Sequence, residues 1–200
     1  DRSPSRGLGD VYKRQLQDLI YYQKSGGGIT LSGGEPLQQK DFALDILQKC
    51  REHRIHTAVE TNLLTDVNTL EAFLPWVDLW MCDFKMADDT LHRKWTGHSN
   101  VPIIKNLEFL AKQAVPLTIR TPVIPNVNDS EEAIESICRF IRQLPNQPAY
   151  ELLGFHSLGF VKFENLGMKN PLSNSAFLKK GQLQKLKEIL IRYNLNNNKK

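Results

Sequence analysis

The chain has 200 residues, 40% of them hydrophobic and 24% charged, ordinary values for a globular domain with a core of its own. Its net charge of +4 is mild and spread along the sequence, which argues against nucleic acid or a membrane surface as partner. No apolar run approaches the ~18 residues that span a bilayer, no signal-peptide pattern opens the chain, and Cys50, Cys82 and Cys138 lie too far apart for a disulfide framework or a self-contained zinc site, so a cytoplasmic protein is expected.

Residues 1–15, "DRSPSRGLGDVYKRQ", have almost no apolar periodicity and resemble translated sequencing-adapter read-through, with a disordered arm as the plainer reading. On the first reading the true N-terminus lies upstream of this sequence. From Leu16 the chain alternates two textures. "LQDLIYYQKS" looks helical, and "GITLS" is the first β-rich run. "DFALDILQKCREHR" then predicts a helix with Phe42, Ile46, Leu47 and Cys50 on one face. "HTAVET", "VDLWMCDF", "PLTIRTPVI" and "YELLGFH" predict four further strands. Between them "VNTLEAFLPW", "VPIIKNLEFLAKQ" and "SEEAIESICRFIRQL" carry helical stripes, and Ser130 with Glu131 and Glu132 makes an acidic helix start. "QLQKLKEILIRY" predicts a last helix before a polar tail at 195–200. Strand and helix alternate five times, which predicts an α/β fold with a parallel sheet, and residues 16–194 read as one core.

Parallel α/β folds bind ligands where the strands end at their carboxyl side. Those ends carry Ser32 to Pro36, then Glu60, Thr61 and Asn62, then Met81, Asp83 and Lys85, then Arg120 and Thr121, and finally His156. The first of these closes a glycine-rich stretch, with five glycines among residues 26–34. It lacks the Gly-Lys-Ser/Thr of a phosphate loop and the Gly-x-Gly-x-x-Gly of a dinucleotide fingerprint. Glu35 directly after bare backbone would repel phosphate but suits an ammonium group, with backbone carbonyls as further acceptors.

"GGGITLSGGEPL", "HTAVETN", "MCDFK", "HRKWTG", "IRTPVIPNVND" and "ELLGFHSLG", in that order, resemble the radical S-adenosylmethionine (SAM) activating enzymes of glycyl-radical enzymes, the pyruvate formate-lyase activase group. The resemblance implies a partial (β/α)6 TIM-like barrel lacking its first β/α unit. It places Gly33, Gly34 and Glu35 at the SAM amino group, Lys85 and Arg120 near its carboxylate and ribose, and His156 beside the cofactor. Glu60, Thr61, Met81 and Asp83 match positions that hold a monovalent cation in some activases, although Asp is commoner where Glu60 stands. The family chemistry uses a [4Fe-4S] cluster to cleave SAM reductively, and the 5′-deoxyadenosyl radical abstracts hydrogen from a glycine of the partner enzyme. Flavodoxin or ferredoxin is the implied electron donor. The family's Cys-x-x-x-Cys-x-x-Cys does not occur here, so the resemblance assigns no iron–sulfur ligand and no catalytic residue within this chain, which as it stands is expected to be inactive.

Plainer readings accompany each residue. Gly33 and Gly34 could serve only a tight turn with positive φ, Asp83 and Lys85 a same-face ion pair, Arg120 a surface charge and His156 a core histidine. "HRKWTG" reads as loop packing or docking surface, and the three cysteines as core thiols. Leu63 and Asn126 depart from the family's commoner glycines. The competing functions are another radical SAM enzyme acting on a small molecule, and a non-catalytic SAM-binding or protein-binding fragment.

Overall fold

A computed structural model describes residues 18–156, 160–169, 172 and 178–195. The arm at 1–15 and the tail beyond Leu195 lie outside them. Among these described residues there are five strands: β1 (Gly28–Leu31), β2 (His56–Thr61), β3 (Leu79–Asp83), β4 (Leu117–Val123) and β5 (Ala149–Gly154). They lie in one sheet in chain order, with β1 parallel to β2 and β2 parallel to β3. Parallel neighbours need a crossover, and each connection contains helix: α1 (Leu19–Ser25) precedes β1, followed by α2 (Lys40–Glu52), α3 (Val67–Phe73), α4 (Asp89–Thr96), α5 (Val101–Lys112), α6 (Glu131–Gln143), α7 (Phe160–Asn165) and α8 (Gln182–Arg192). This is the α/β fold expected from the alternation of strand and helix.

The chain divides into two compact units, one of residues 1–83 and 101–118, the other of residues 84–100 and 119–200. In the first, α2 buries Ala43, Ile46, Leu47 and Cys50. The expected face is one residue off at its start, since Phe42 is 39% exposed and Ala43 takes its place. A stripe at 43, 46, 47 and 50 keeps the i, i+3, i+4, i+7 spacing, and Phe42 lies about 100° to one side of it. Ile29, Ile46, Cys50 and Ile55 form one cluster, against which Tyr22 and Leu31 pack. At the amino end of the same strands Asp78 ties β2 to β3. One of its oxygens accepts from Arg51 Nη1 at 3.0 Å, and the other from the Thr57 N–H at 2.9 Å and the Thr57 hydroxyl at 3.1 Å.

Gly28 accounts for part of the glycine run. It stands opposite His56 in the β1–β2 register, and a Cβ there would lie 1.8 Å from the His56 carbonyl oxygen. Only glycine permits that approach.

In the second unit α6 begins as expected. The Ser130 hydroxyl accepts from the Ala133 N–H at 3.1 Å, and Glu131 and Glu132 occupy the first turn, where the helix dipole favours negative charge. Ile134, Ile137, Cys138 and Ile141 are buried on it, and Leu186, Ile189 and Leu190 on α8. "HRKWTG" is helix rather than loop. Asp88 caps α4 by accepting from the Leu91 N–H at 2.8 Å, and Gly97 closes it at φ 78°. His92 is 3% exposed, its Nδ1 lying 2.7 Å from the His98 carbonyl. Among the described residues no helix is long and apolar enough to cross a membrane.

Candidate functional site

The chain leaves β1 through Ser32, Gly33 and Gly34, all exposed, before Glu35 opens a short 3-10 turn at Pro36–Gln39. Pro36 and Leu37 are buried and anchor the far side of this turn. The two glycines differ. Gly33 has φ 111°, which a residue with a Cβ rarely adopts, whereas Gly34 has no positive φ. A Cβ added at Gly34 would meet no heavy atom within 4 Å. Neither backbone conformation nor internal packing therefore requires glycine at 34.

Glu35 is half-buried, and its carboxylate organises the turn. Oε1 accepts from the Thr61 hydroxyl at 2.7 Å and from the Leu37 N–H at 3.3 Å, while Oε2 accepts from the Asn62 N–H at 2.8 Å. A carboxylate offers about four lone-pair sites, so three bonds leave room for one more donor. Beside it the Ser32 hydroxyl donates to Glu60 Oε2 at 2.9 Å, a second link between the exits of β1 and β2. Glu60 stands opposite Met81, and Thr61 opposite Cys82, so the four residues matched to a cation site occupy adjoining ends of β2 and β3. Thr61 is 3% exposed, and its hydroxyl proton is committed to Glu35. Among the described residues no group of three or more His, Cys, Asp or Glu is arranged to hold a metal ion.

The remaining matched residues are in the second unit. Arg120 is half-buried on β4, and its carbonyl accepts from the Phe84 N–H at 2.9 Å. Next to it the Thr121 hydroxyl donates to the Phe84 carbonyl at 2.6 Å and accepts from the Tyr150 hydroxyl at 3.0 Å; burial raises the Tyr150 phenol well above its ordinary value. The Lys85 carbonyl accepts from Asn128 Nδ2 at 2.8 Å, and the next two carbonyls, of Met86 and Ala87, accept from Asn100 Nδ2 at 3.0 and 2.9 Å. Lys85 thus projects from a backbone fixed by two buried asparagines, at 1% and 2% exposure. His156 lies two residues beyond β5 and is exposed, which removes its reading as a core histidine.

Cys50, Cys82 and Cys138 are buried free thiols, as expected. Burial pushes Cys50 up to about 11, Cys138 up to about 12, and Cys82 well above the ordinary range. Cluster ligation needs thiolates that converge, and these three are held as thiols in separate parts of the core.

Sequence reasoning missed Asn100, Asn106 and Asn128, whose amides fix the backbone near Lys85 and Leu63. A signal was present for Asn106, which interrupts the apolar stripe Ile103, Leu107, Leu110 of α5. A polar residue at such a position requires a partner.

The radical SAM superfamily model matches residues 9–140. This chain belongs to the radical SAM superfamily. The match opens at residue 9, inside the segment set aside on composition. Among curated relatives of this radical SAM chain is an isethionate sulfite-lyase activating enzyme of Desulfovibrio desulfuricans, 41% identical over 169 residues, which are 84% of this chain and 54% of that protein. A pyruvate formate-lyase-activating enzyme of Clostridium pasteurianum is 34% identical over 181 residues, 90% of this chain and 76% of that protein. The crystal structure of a domain of a pyruvate-formate lyase-activating enzyme from Bacteroides vulgatus superposes with a TM-score of 0.71 at 31% identity, covering 84% of this chain and 96% of that one. The chain spans about half the length of the first of these relatives, and the family and its partial-barrel fold are those expected from the ordered motifs.

Proposed function

We propose that this chain is the SAM-holding part of an activating enzyme for a glycyl-radical enzyme. The observation that carries the reading is Gly34, where bare backbone serves neither φ nor packing and so is free to be approached by a ligand. Gly33, Gly34 and the remaining acceptor site of Glu35 suit the amino group of SAM, because an ammonium group donates up to three hydrogen bonds and is attracted by the carboxylate. Lys85 and Arg120 suit the ligand's carboxylate by charge and its ribose hydroxyls as hydrogen-bond donors, and His156 is exposed for contact. Glu60, Thr61, Met81 and Asp83 are the proposed oxygen donors of a monovalent cation, the main-chain carbonyl serving at Met81.

The residues present do not fit a [4Fe-4S] cluster, whose iron ligands are converging thiolates. The activating reaction requires cluster thiolates that these 200 residues do not contain. Its other requirements are a glycyl-radical enzyme as protein substrate, a low-potential donor such as flavodoxin or ferredoxin, and a cytoplasmic anaerobic setting. The relatives are each named as activating enzymes, which favours a protein substrate over a small molecule.

Calorimetric titration of the chain with SAM tests the reading. Binding is expected in the parent, at least tenfold weaker in Gly34→Ala and in Glu35→Gln, and tighter in potassium than in tetramethylammonium salt. Equal affinity in parent and both variants would remove the assignment, and equal affinity in the two salts would remove the cation.

A further inference from the structure

Asn106 is 5% exposed within the apolar stripe of α5, so its amide is withdrawn from water and must be satisfied by protein. Its Nδ2 donates to the Leu63 carbonyl at 2.9 Å and to the Thr65 carbonyl at 2.8 Å, and both its protons are used. The receiving residue is the unusual one. Leu63 is fully buried with φ 58°, a left-handed region that non-glycine residues rarely occupy. From Leu63 the bonds continue toward the glycine turn. The Leu63 N–H donates to Thr61 Oγ1 at 3.0 Å, which directs the hydroxyl proton of Thr61 onto Glu35 Oε1 at 2.7 Å. The Asn62 N–H, one residue earlier, donates to Glu35 Oε2.

We propose that Asn106 is a positioning residue for the Gly33–Glu35 turn, acting through Leu63 and Thr61. Its two donors hold the β2 exit loop in the conformation that keeps Leu63 left-handed. That conformation aims the Leu63 N–H at Thr61 and the Asn62 N–H at Glu35, so the carboxylate meets its donors in a fixed place. Without the amide, Leu63 relaxes toward negative φ, its N–H turns off Thr61, and the hydroxyl is free to rotate away from Glu35. The functional consequence rests on the SAM reading of the turn, but the relay itself does not.

Nitrogen–proton correlation spectra of the full 200-residue chain test the relay without ligand. The reporters are the amides of Asn62 and Leu37, which donate to opposite oxygens of Glu35. Such charge-assisted bonds shift amide protons downfield. Asn106→Asp and Asn106→Leu are expected to move both resonances upfield, whereas a loss of stability alone lowers the melting temperature without moving native-state shifts. In a Thr61→Val background, Asn106→Asp is expected to move Leu37 no further, because the relay is already cut. Unmoved Asn62 and Leu37 resonances in a folded Asn106 variant overturn the proposal. If neither Asn106 variant folds, the near-isosteric Thr61→Val decides alone: a shifted Leu37 supports the relay and an unshifted one breaks it. Absence of SAM binding by the parent sinks the functional reading, while the amide shifts still decide the role of Asn106.

Discussion

At the scale of single residues, Gly34 separates structure from function more sharply than Glu35 does. Glu35 holds Thr61, Leu37 and Asn62, so its removal loosens the turn as well as any ligand contact. Gly34 holds nothing. An alanine there meets no atom within 4 Å and adopts no forbidden φ, and it restricts the unfolded chain, so Gly34→Ala is expected to raise stability by about 0.4–1 kcal/mol. Chemical denaturation of the parent and the variant measures this, and a destabilised Gly34→Ala would show that the turn needs glycine for its own sake. The turn itself was legible in the sequence because Gly-Gly-Glu-Pro is local, and its chemistry follows from a carboxylate beside bare backbone. Its supports were not legible. Thr61 lies 26 residues from Glu35, and Asn106 lies 43 from Leu63, and neither separation leaves a trace in local pattern beyond one polar residue in an apolar stripe.

Among the elements, strands were easier to read than helices with little apolar surface. All five β-rich runs are strands to within about two residues at either end, because β-branched and aromatic residues cluster between turn formers. Helix α4 escaped notice because His92 is its one buried residue, which leaves no apolar stripe to count. Its signals lie at the ends, Asp88 as N-cap and Gly97 as left-handed C-cap, and in the polar lock around Asp89. The Asp89 carboxylate accepts from the Ser99 hydroxyl at 2.7 Å, from Arg93 Nε at 2.7 Å and from the Asn100 N–H at 2.9 Å. Ser99 first, then Arg93 and Asn100, hold its carboxyl down to about 2, below the ordinary value of about 3.9. A carboxyl whose folded value is depressed stabilises the fold above its unfolded value and loses that contribution as pH falls through the folded one. Stability supported by Asp89 is therefore full above about pH 4 and fades toward pH 2. Melting temperatures across that window are expected to fall less steeply for Asp89→Asn than for the parent, and parallel slopes would show that the lock does not form.

For the whole molecule, the SAM reading makes a thermodynamic claim that is independent of catalysis. A ligand that binds the folded chain and not the unfolded one stabilises it by mass action, about 2.7 kcal/mol when its free concentration is a hundred times its dissociation constant. For a chain of this size each kcal/mol raises the melting temperature by about 2–4 °C, so saturating SAM is expected to raise it by roughly 5–11 °C. The residues proposed to contact SAM are Gly33, Gly34 and Glu35, together with Lys85, Arg120 and His156. Substituting alanine for Glu35, or for both Lys85 and Arg120, is expected to shrink the SAM-induced shift to under about 2 °C, whatever it does to the melting temperature without ligand. Differential scanning calorimetry with and without SAM reads both quantities in one experiment. A full shift that survives loss of Lys85 and Arg120 would remove those two residues from the proposed site and leave recognition to Gly33, Gly34 and Glu35.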